Sequence, residues 1–110
     1  MNVAQRQNIN TFDSEEVQGE GSWVKVRAVP YGEAKANMRR AAEAATDEDR
    51  LKLGEQAIAS YVVEWNWVGD DGKPLPQIHG DPTVLDLLTG AEMGFLKECI
   101  NGERSAQKKA

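Results

Sequence analysis

The sequence predicts an α+β fold that is mainly α, a small helical bundle of about four helices with an N-terminal β-hairpin or single strand packed on it. Three observations support this fold class. Residues 23–29 alternate and are rich in β-branched side chains, which is typical of a strand. Residues 32–45 and 47–67 carry apolar side chains at helical spacing. Beyond residue 80, two helix-capping patterns follow each other closely.

The length and composition indicate one small folded domain. The chain has 110 residues, of which 40% are hydrophobic and 28% charged, as in ordinary globular proteins. We expect a single globular domain over residues 9–104. The polar segments 1–8 and 105–110 are expected to be flexible ends.

The N-terminal part predicts a hairpin followed by a helix. Residues 9–17 are consistent with a weak strand, residues 18–22 with a turn, and residues 23–29 with the second, stronger strand. Pro30 ends that strand, and residues 32–45 form an alanine-rich helix. Apolar residues recur along one face of this helix at three- and four-residue spacing, and the small alanines among them predict close packing against another helix: Ala34, Met38, Ala41, Ala42 and Ala45.

The helix predicted over residues 47–67 is the expected centre of the fold. Thr46 is its N-cap, and acidic residues fill its first turn. Its apolar stripe consists of Leu51, Gly54, Ile58, Tyr61 or Val62, and Trp65. If the helix reaches Trp67, the indoles of Trp65 and Trp67 point to nearly opposite sides, and one faces outward. The sequence leaves open that both are buried where the helix unwinds.

The C-terminal part predicts a turn and two short helices. Residues 69–74 form the turn, and residues 75–80 are irregular. Asp81 caps a helix that has Pro82 at its first position, and residues 89–92 form a capping box. The inward face of the last helix is Phe95, Leu96, Cys99 and Ile100, and residues 101–102 end it.

The charge pattern limits the classes of partner. The formal net charge is −5 and there is no basic stripe, which argues against nucleic acid or an anionic membrane as partner. No apolar run is long enough to span a bilayer, and the N-terminal residues do not resemble a secretory signal. Lys35, Arg39 and Arg40 form a small basic cluster, either a solvated face or a complement to a charged partner.

No residue pattern predicts catalysis, a metal site or a cofactor. One histidine, His79, and one cysteine, Cys99, are too few to hold zinc within one chain. The Asp70-Asp71-Gly72 turn lacks the oxygen ligands at the spacing of a calcium-binding loop. A binding or structural protein is therefore expected rather than an enzyme or an enzyme subunit.

Three segments resemble the tail assembly chaperones of long-tailed bacteriophages. They read SWVKVRAVPYGEAKANMRR, then VVEWNWVGDDGKPLP, then DPTVLDLLTGAEMGFLKECI, and together they cover residues 23–103 approximately. The most specific parts are Trp65-Asn66 and the segment DGKPLP at residues 71–76. Trp67 departs from the family pattern, which has a smaller or aliphatic residue more often at that position.

The resemblance implies a non-enzymatic chaperone that acts without a cofactor in the cytoplasm of an infected bacterium. Its implied partners are the tape measure protein and the tail tube protein, and a homo-oligomer remains open. Trp65 and Trp67, with the basic cluster, are the expected partner-binding residues. The alternative function is a structural virion component of the phage tail or of the head–tail junction.

Overall fold

The computed structural model describes residues 8–106 and shows an α+β fold around a three-stranded antiparallel sheet. The sheet order is β1 (Ile9–Asp13), β2 (Trp23–Arg27), β3 (Val62–Trp65). The three substantial helices are α2 (Tyr31–Glu43), α3 (Asp47–Tyr61) and α4 (Gly90–Ile100). A four-residue helix, α1 (Glu15–Gln18), and a 3₁₀ helix (Pro82–Leu87) complete the described elements.

The α+β class is confirmed, but the structure has a three-stranded sheet with three substantial helices instead of a bundle of about four helices. The helix predicted to reach residue 67 ends at Tyr61, and the chain continues directly as β3. The reason is that β2 has two edges, and β3 pairs with the second one through Val26 with Val62 and Val24 with Trp65. A hairpin alone is marginal in water, whereas a third strand made of β-branched and aromatic residues stabilises the sheet.

The pairing of β2 and β3 contains an irregularity that positions the tryptophans. Lys25 lies opposite Glu64 while Val26 lies opposite Val62, so Val63 has no partner residue on β2. A bulge of this kind bends the strand and re-aims the side chains beyond it. Both Val62 and Trp65 are consequently buried, although they are three residues apart.

The first predicted strand is also shorter than expected. It ends at Asp13, and α1 occupies part of the segment predicted as strand. Asp13 begins this change because its carboxylate accepts a hydrogen bond from the backbone N–H of Glu15 at 2.9 Å. Aspartate side chains favour turns for this reason.

The capping predictions are confirmed. The Thr46 hydroxyl accepts from the N–H of Asp49 at 3.0 Å, and the Asp81 carboxylate accepts from the N–H of Thr83 at 3.0 Å. The capping box of α4 is complete, because Thr89 and Glu92 satisfy each other's backbone N–H groups. Gly102, just past the end of α4, has φ 77°, a conformation that favours glycine.

The core lies between the sheet, the C-terminal end of α3, the 3₁₀ helix and α4. Its apolar members are Phe12, Val24, Val26, Ile58, Ala59, Tyr61, Val62, Trp65, Trp67, Ile78, Val84, Leu85, Phe95, Leu96 and Cys99. The N-terminal half of α3 and all of α2 lie outside it. Leu51 of the predicted stripe is 64% exposed, and Met38 of the predicted alanine face is 72% exposed.

As predicted, α2 packs beside another helix, α3, but no residue of α2 is buried. Of the predicted face, Ala34 and Ala41 are half-buried, whereas Met38, Ala42 and Ala45 are exposed. Of the predicted flexible segments 1–8 and 105–110, residues 1–7 and 107–110 lie outside the described residues, so the prediction stays a prediction there; Ala106 is half-buried against the core. Across residues 8–106, no helix combines the length and apolar character needed to cross a membrane.

Candidate partner-binding surfaces

Both tryptophans of the Trp-Asn-Trp segment are buried. Trp65 is 2% exposed and Trp67 is 0% exposed. Their rings stack with centroids 4.8 Å apart and planes 6° apart, and Trp67 also packs against Phe95. The prediction of an outward indole is wrong, and the open alternative, burial where the helix ends, is what the structure shows. Neither ring is available to a partner in the folded monomer.

Hydrogen bonds explain why this segment has these residue types. The Nε1–H of Trp67 donates to Ser14 Oγ at 2.9 Å, and that of Trp65 donates to the carbonyl of Pro76 at 3.2 Å. Asn66 Oδ1 accepts from the N–H of Trp23 at 2.8 Å, and Asn66 Nδ2 donates to the carbonyl of Gly21 at 3.1 Å. The segment thus joins the turn before β2, the end of β3 and the following loop. Its role is structural.

Two glutamines, Gln77 and Gln18, add further hydrogen bonds to the backbone of this segment, and sequence reasoning missed both. The side-chain amide of Gln77 accepts from the N–H of Trp65 at 3.1 Å and donates to its carbonyl at 2.8 Å. Gln18 does the same for Val68, with both distances 2.9 Å. An amide side chain has both a donor and an acceptor, so it can replace a neighbouring strand for one residue. No sequence pattern marks such a pairing in advance.

The three predicted basic residues of α2 do not form one site. Lys35 lies over the ring of Tyr31, 4.9 Å from its centroid. Arg39 is exposed, and Arg40 donates to Asn37 Oδ1 at 3.2 Å. Of the three, Arg40 lines a cavity between α2 and α3, and Lys35 and Arg39 do not.

That cavity, called here the arginine cavity, has a volume of about 540 Å³. Its lining residues are Arg27, Glu33, Asn37, Arg40, Ala41, Arg50, Leu53, Gly54, Gln56, Ala57 and Ser60. Arg27 donates to Glu33 Oε2 at 2.7 Å, and this hydrogen bond holds the pKa of that carboxyl below its ordinary value. Sequence reasoning missed Arg27 and Arg50, because only the fold brings β2 and α3 beside α2.

A second concavity, the α3–α4 groove, is mostly apolar. It has a volume of about 360 Å³ and is lined by Asp47, Arg50, Leu51, Gly54, Glu55, Ile58, Met93 and Lys97. Leu51, Ile58 and Met93 supply its apolar surface. Arg50 and Gly54 belong to both the groove and the arginine cavity, so the two surfaces adjoin along α3.

His79 and Cys99, the two residues considered for metal binding or catalysis, have different environments. His79 is exposed and has φ 47°, just before Gly80 at φ 79°. Cys99 is buried, and burial raises the pKa of its thiol to about 12. Among residues 8–106, no three His, Cys, Asp or Glu side chains come close enough together to hold a metal ion.

Comparison of the chain with protein-family models, with curated proteins and with solved structures found no match.

Proposed function

We propose that this protein is a non-enzymatic tail assembly chaperone that binds the tape measure protein and assists assembly of the tail tube. Two kinds of observation support the proposal. The first is the resemblance of residues 23–103 to that family. The second, which carries the mechanism, is the exposed apolar α3–α4 groove. The proposed site of action is the cytoplasm of an infected bacterium, and the tail tube protein is the second proposed partner.

The groove suits an amphipathic helix, the kind of segment that a long helical protein such as a tape measure would offer. Leu51 is 64% exposed, so its side chain is accessible to a partner helix that enters the groove beside Met93. Gly54 has no atom of the protein near the position of a Cβ, so a second helix has room to approach α3 there. Binding in such grooves depends on apolar anchors and little on salt.

Charged residues of both signs surround the apolar part of the groove. Asp47 and Glu55 contribute negative charge, and Arg50 and Lys97 contribute positive charge. An apolar centre with a polar rim is the usual anatomy of a specific protein interface. In this proposal the groove, rather than the Trp65 and Trp67 pair, contacts the tape measure protein, and the tryptophans support the sheet behind it.

The test is co-expression with the tape measure protein, followed by pull-down of wild type and two variants. Leu51→Glu places a charge in the groove, and Met38→Glu makes the same change at a more exposed residue on α2, outside it. Loss of a buried anchor costs about 2 kcal/mol or more, so we expect Leu51→Glu to recover at least about tenfold less partner. Met38→Glu is expected to match wild type.

Circular dichroism establishes that both variants fold. Equal recovery by both folded variants would remove the groove from the interface. No recovery by wild type would contradict the chaperone proposal itself. A structural virion component would also remain in finished particles, so detection of the protein in purified virions by mass spectrometry at the level of tail components would favour that alternative.

A further inference from the structure

The arginine cavity concentrates positive charge in an acidic protein. Three arginines, Arg27, Arg40 and Arg50, line it together with one acidic residue, Glu33. If Asp47 is included, because it pairs with Arg50 at 2.6 Å, one net positive charge remains. The chain as a whole has a net charge of −5. The local charge is therefore opposite to the overall one.

The arginines differ in how far the protein already uses them. Arg27 is held by Glu33 and donates from Nε to the carbonyl of Ser60 at 3.0 Å. Arg50 donates to Asp47 and to the carbonyl of Ala41. Within residues 8–106, the guanidinium of Arg40 makes one hydrogen bond, to Asn37. A guanidinium has five N–H donors, so Arg40 has the largest remaining capacity to bind an anion.

Part of the cavity lining is apolar. Leu53 and Ala57 of α3 and Ala41 of α2 line the cavity together with the arginines, and all three are half-buried. A simple inorganic anion would gain nothing from this apolar surface. A glutamate side chain combines two methylene groups with a carboxylate that matches the planar guanidinium.

We propose that the arginine cavity binds an acidic side chain of a partner protein, with the carboxylate on Arg40 and the aliphatic stem on Leu53 and Ala57. The occupant is an acidic helical or extended segment, because its charge complements the cavity. Arg27 and Arg50 contribute positive electrostatic potential and form part of the cavity wall, because their hydrogen bonds to Glu33 and Asp47 hold them in place. The inference does not rest on the proposed function, because any acidic partner segment would satisfy it.

The experiment uses a fluorescein-labelled synthetic helical peptide that carries glutamate and leucine on one face, and a matched peptide with glutamine in place of glutamate. Fluorescence anisotropy measures binding of each to the full chain at low salt. We expect saturable binding of the glutamate peptide. The glutamine peptide is expected to bind about tenfold more weakly, as the loss of one charge-assisted hydrogen bond predicts.

The matched variants are Arg40→Gln and Arg39→Gln. They remove the same charge from adjacent exposed positions of α2, but only Arg40 lines the cavity. We expect Arg40→Gln to weaken binding of the glutamate peptide about tenfold and Arg39→Gln to change it less than about twofold.

Several outcomes would overturn the inference. Equal losses in both variants would mean that net charge, not the cavity, attracts the peptide. Equal affinity for the two peptides would exclude carboxylate recognition, as would the absence of saturable binding to wild type. Concentration-dependent self-association that Arg40→Gln abolishes would assign the cavity to a second copy of the chain instead.

Discussion

Replacement of Trp67 by alanine tests the structural role of the Trp-Asn-Trp segment. Trp67 is 0% exposed, stacks on Trp65 and packs against Phe95. Truncation of a buried tryptophan to alanine costs about 3–5 kcal/mol, which includes the lost stacking and the cavity left behind. A domain of this size has a free energy of unfolding of about 5–15 kcal/mol. We expect Trp67→Ala to remove about a fifth of it or more.

Trp67→Phe separates the hydrogen bond from the packing. The phenyl ring keeps part of the apolar contact but cannot donate to Ser14 Oγ, so we expect an intermediate loss that includes about 1 kcal/mol for that bond. Trp23→Ala is the control, because Trp23 is only half-buried and should cost roughly half as much.

The assay is denaturant unfolding followed by far-UV circular dichroism, which does not depend on tryptophan fluorescence. A loss below about 0.5 kcal/mol for Trp67→Ala would mean that the indole is not in the core. A loss for Trp23→Ala as large as that for Trp67→Ala would refute the assignment of Trp67, rather than Trp23, to the fully buried position.

Three further predictions concern single residues. Burial raises the pKa of the Cys99 thiol to about 12, so Cys99 should react slowly with a disulfide reagent at pH 8 and rapidly in denaturant; rapid native labelling would contradict its burial. Thr89→Ala should cost about 0.5–2 kcal/mol in unfolding titrations, because it removes the capping box of α4; a neutral result would show that the box adds nothing. The pKa of Glu33 is lowered by its hydrogen bond to Arg27, so this pair stabilises the fold fully above the unfolded-state pKa and loses that effect as pH falls through the lower folded-state pKa. The difference in unfolding free energy between wild type and Glu33→Gln should therefore shrink as the pH is lowered below about 4.5, the ordinary pKa of a glutamate, and a constant difference would refute the ion pair's role.

The helix caps were predictable from the sequence because each capping hydrogen bond joins residues within one helical turn of each other. Thr46, Asp81 and Thr89 cap the helices they were expected to cap, since each bond joins residues two or three positions apart. The inward face of α4 was predictable for a similar reason, because Phe95, Leu96 and Cys99 are buried and Ile100 is half-buried. The spacing did not predict that Glu92 is buried as well, where its carboxylate accepts from the N–H of Thr89.

The end of α3 was not predictable in the same way. Residues 62–65 fit either a helix end or a strand, and the choice depends on pairing with β2, which is distant in the sequence. That pairing includes Trp65, and Trp67 is buried just beyond the end of β3. The candidate surfaces depend on tertiary structure even more, since Arg27, Arg40 and Arg50 come from three separate elements.

The exposed leucine of the predicted stripe shows a further limit. Leu51 fits the helical apolar pattern as well as Ile58 does, yet Ile58 is 9% exposed and Leu51 is 64% exposed. Periodicity identifies a face of a helix but not where the core stops along it. In this chain only the C-terminal part of α3, from Ile58 onward, lies in the core, whereas Leu51 lies in the groove.

The central claim is that the α3–α4 groove binds the tape measure protein, and methyl NMR of the complex tests it most directly. The claim predicts that the methyl resonances of Leu51 and Met93 shift on addition of the partner, while those of the core residues Val24 and Leu96 do not. A complex that forms with no change at Leu51 and Met93 would contradict the claim.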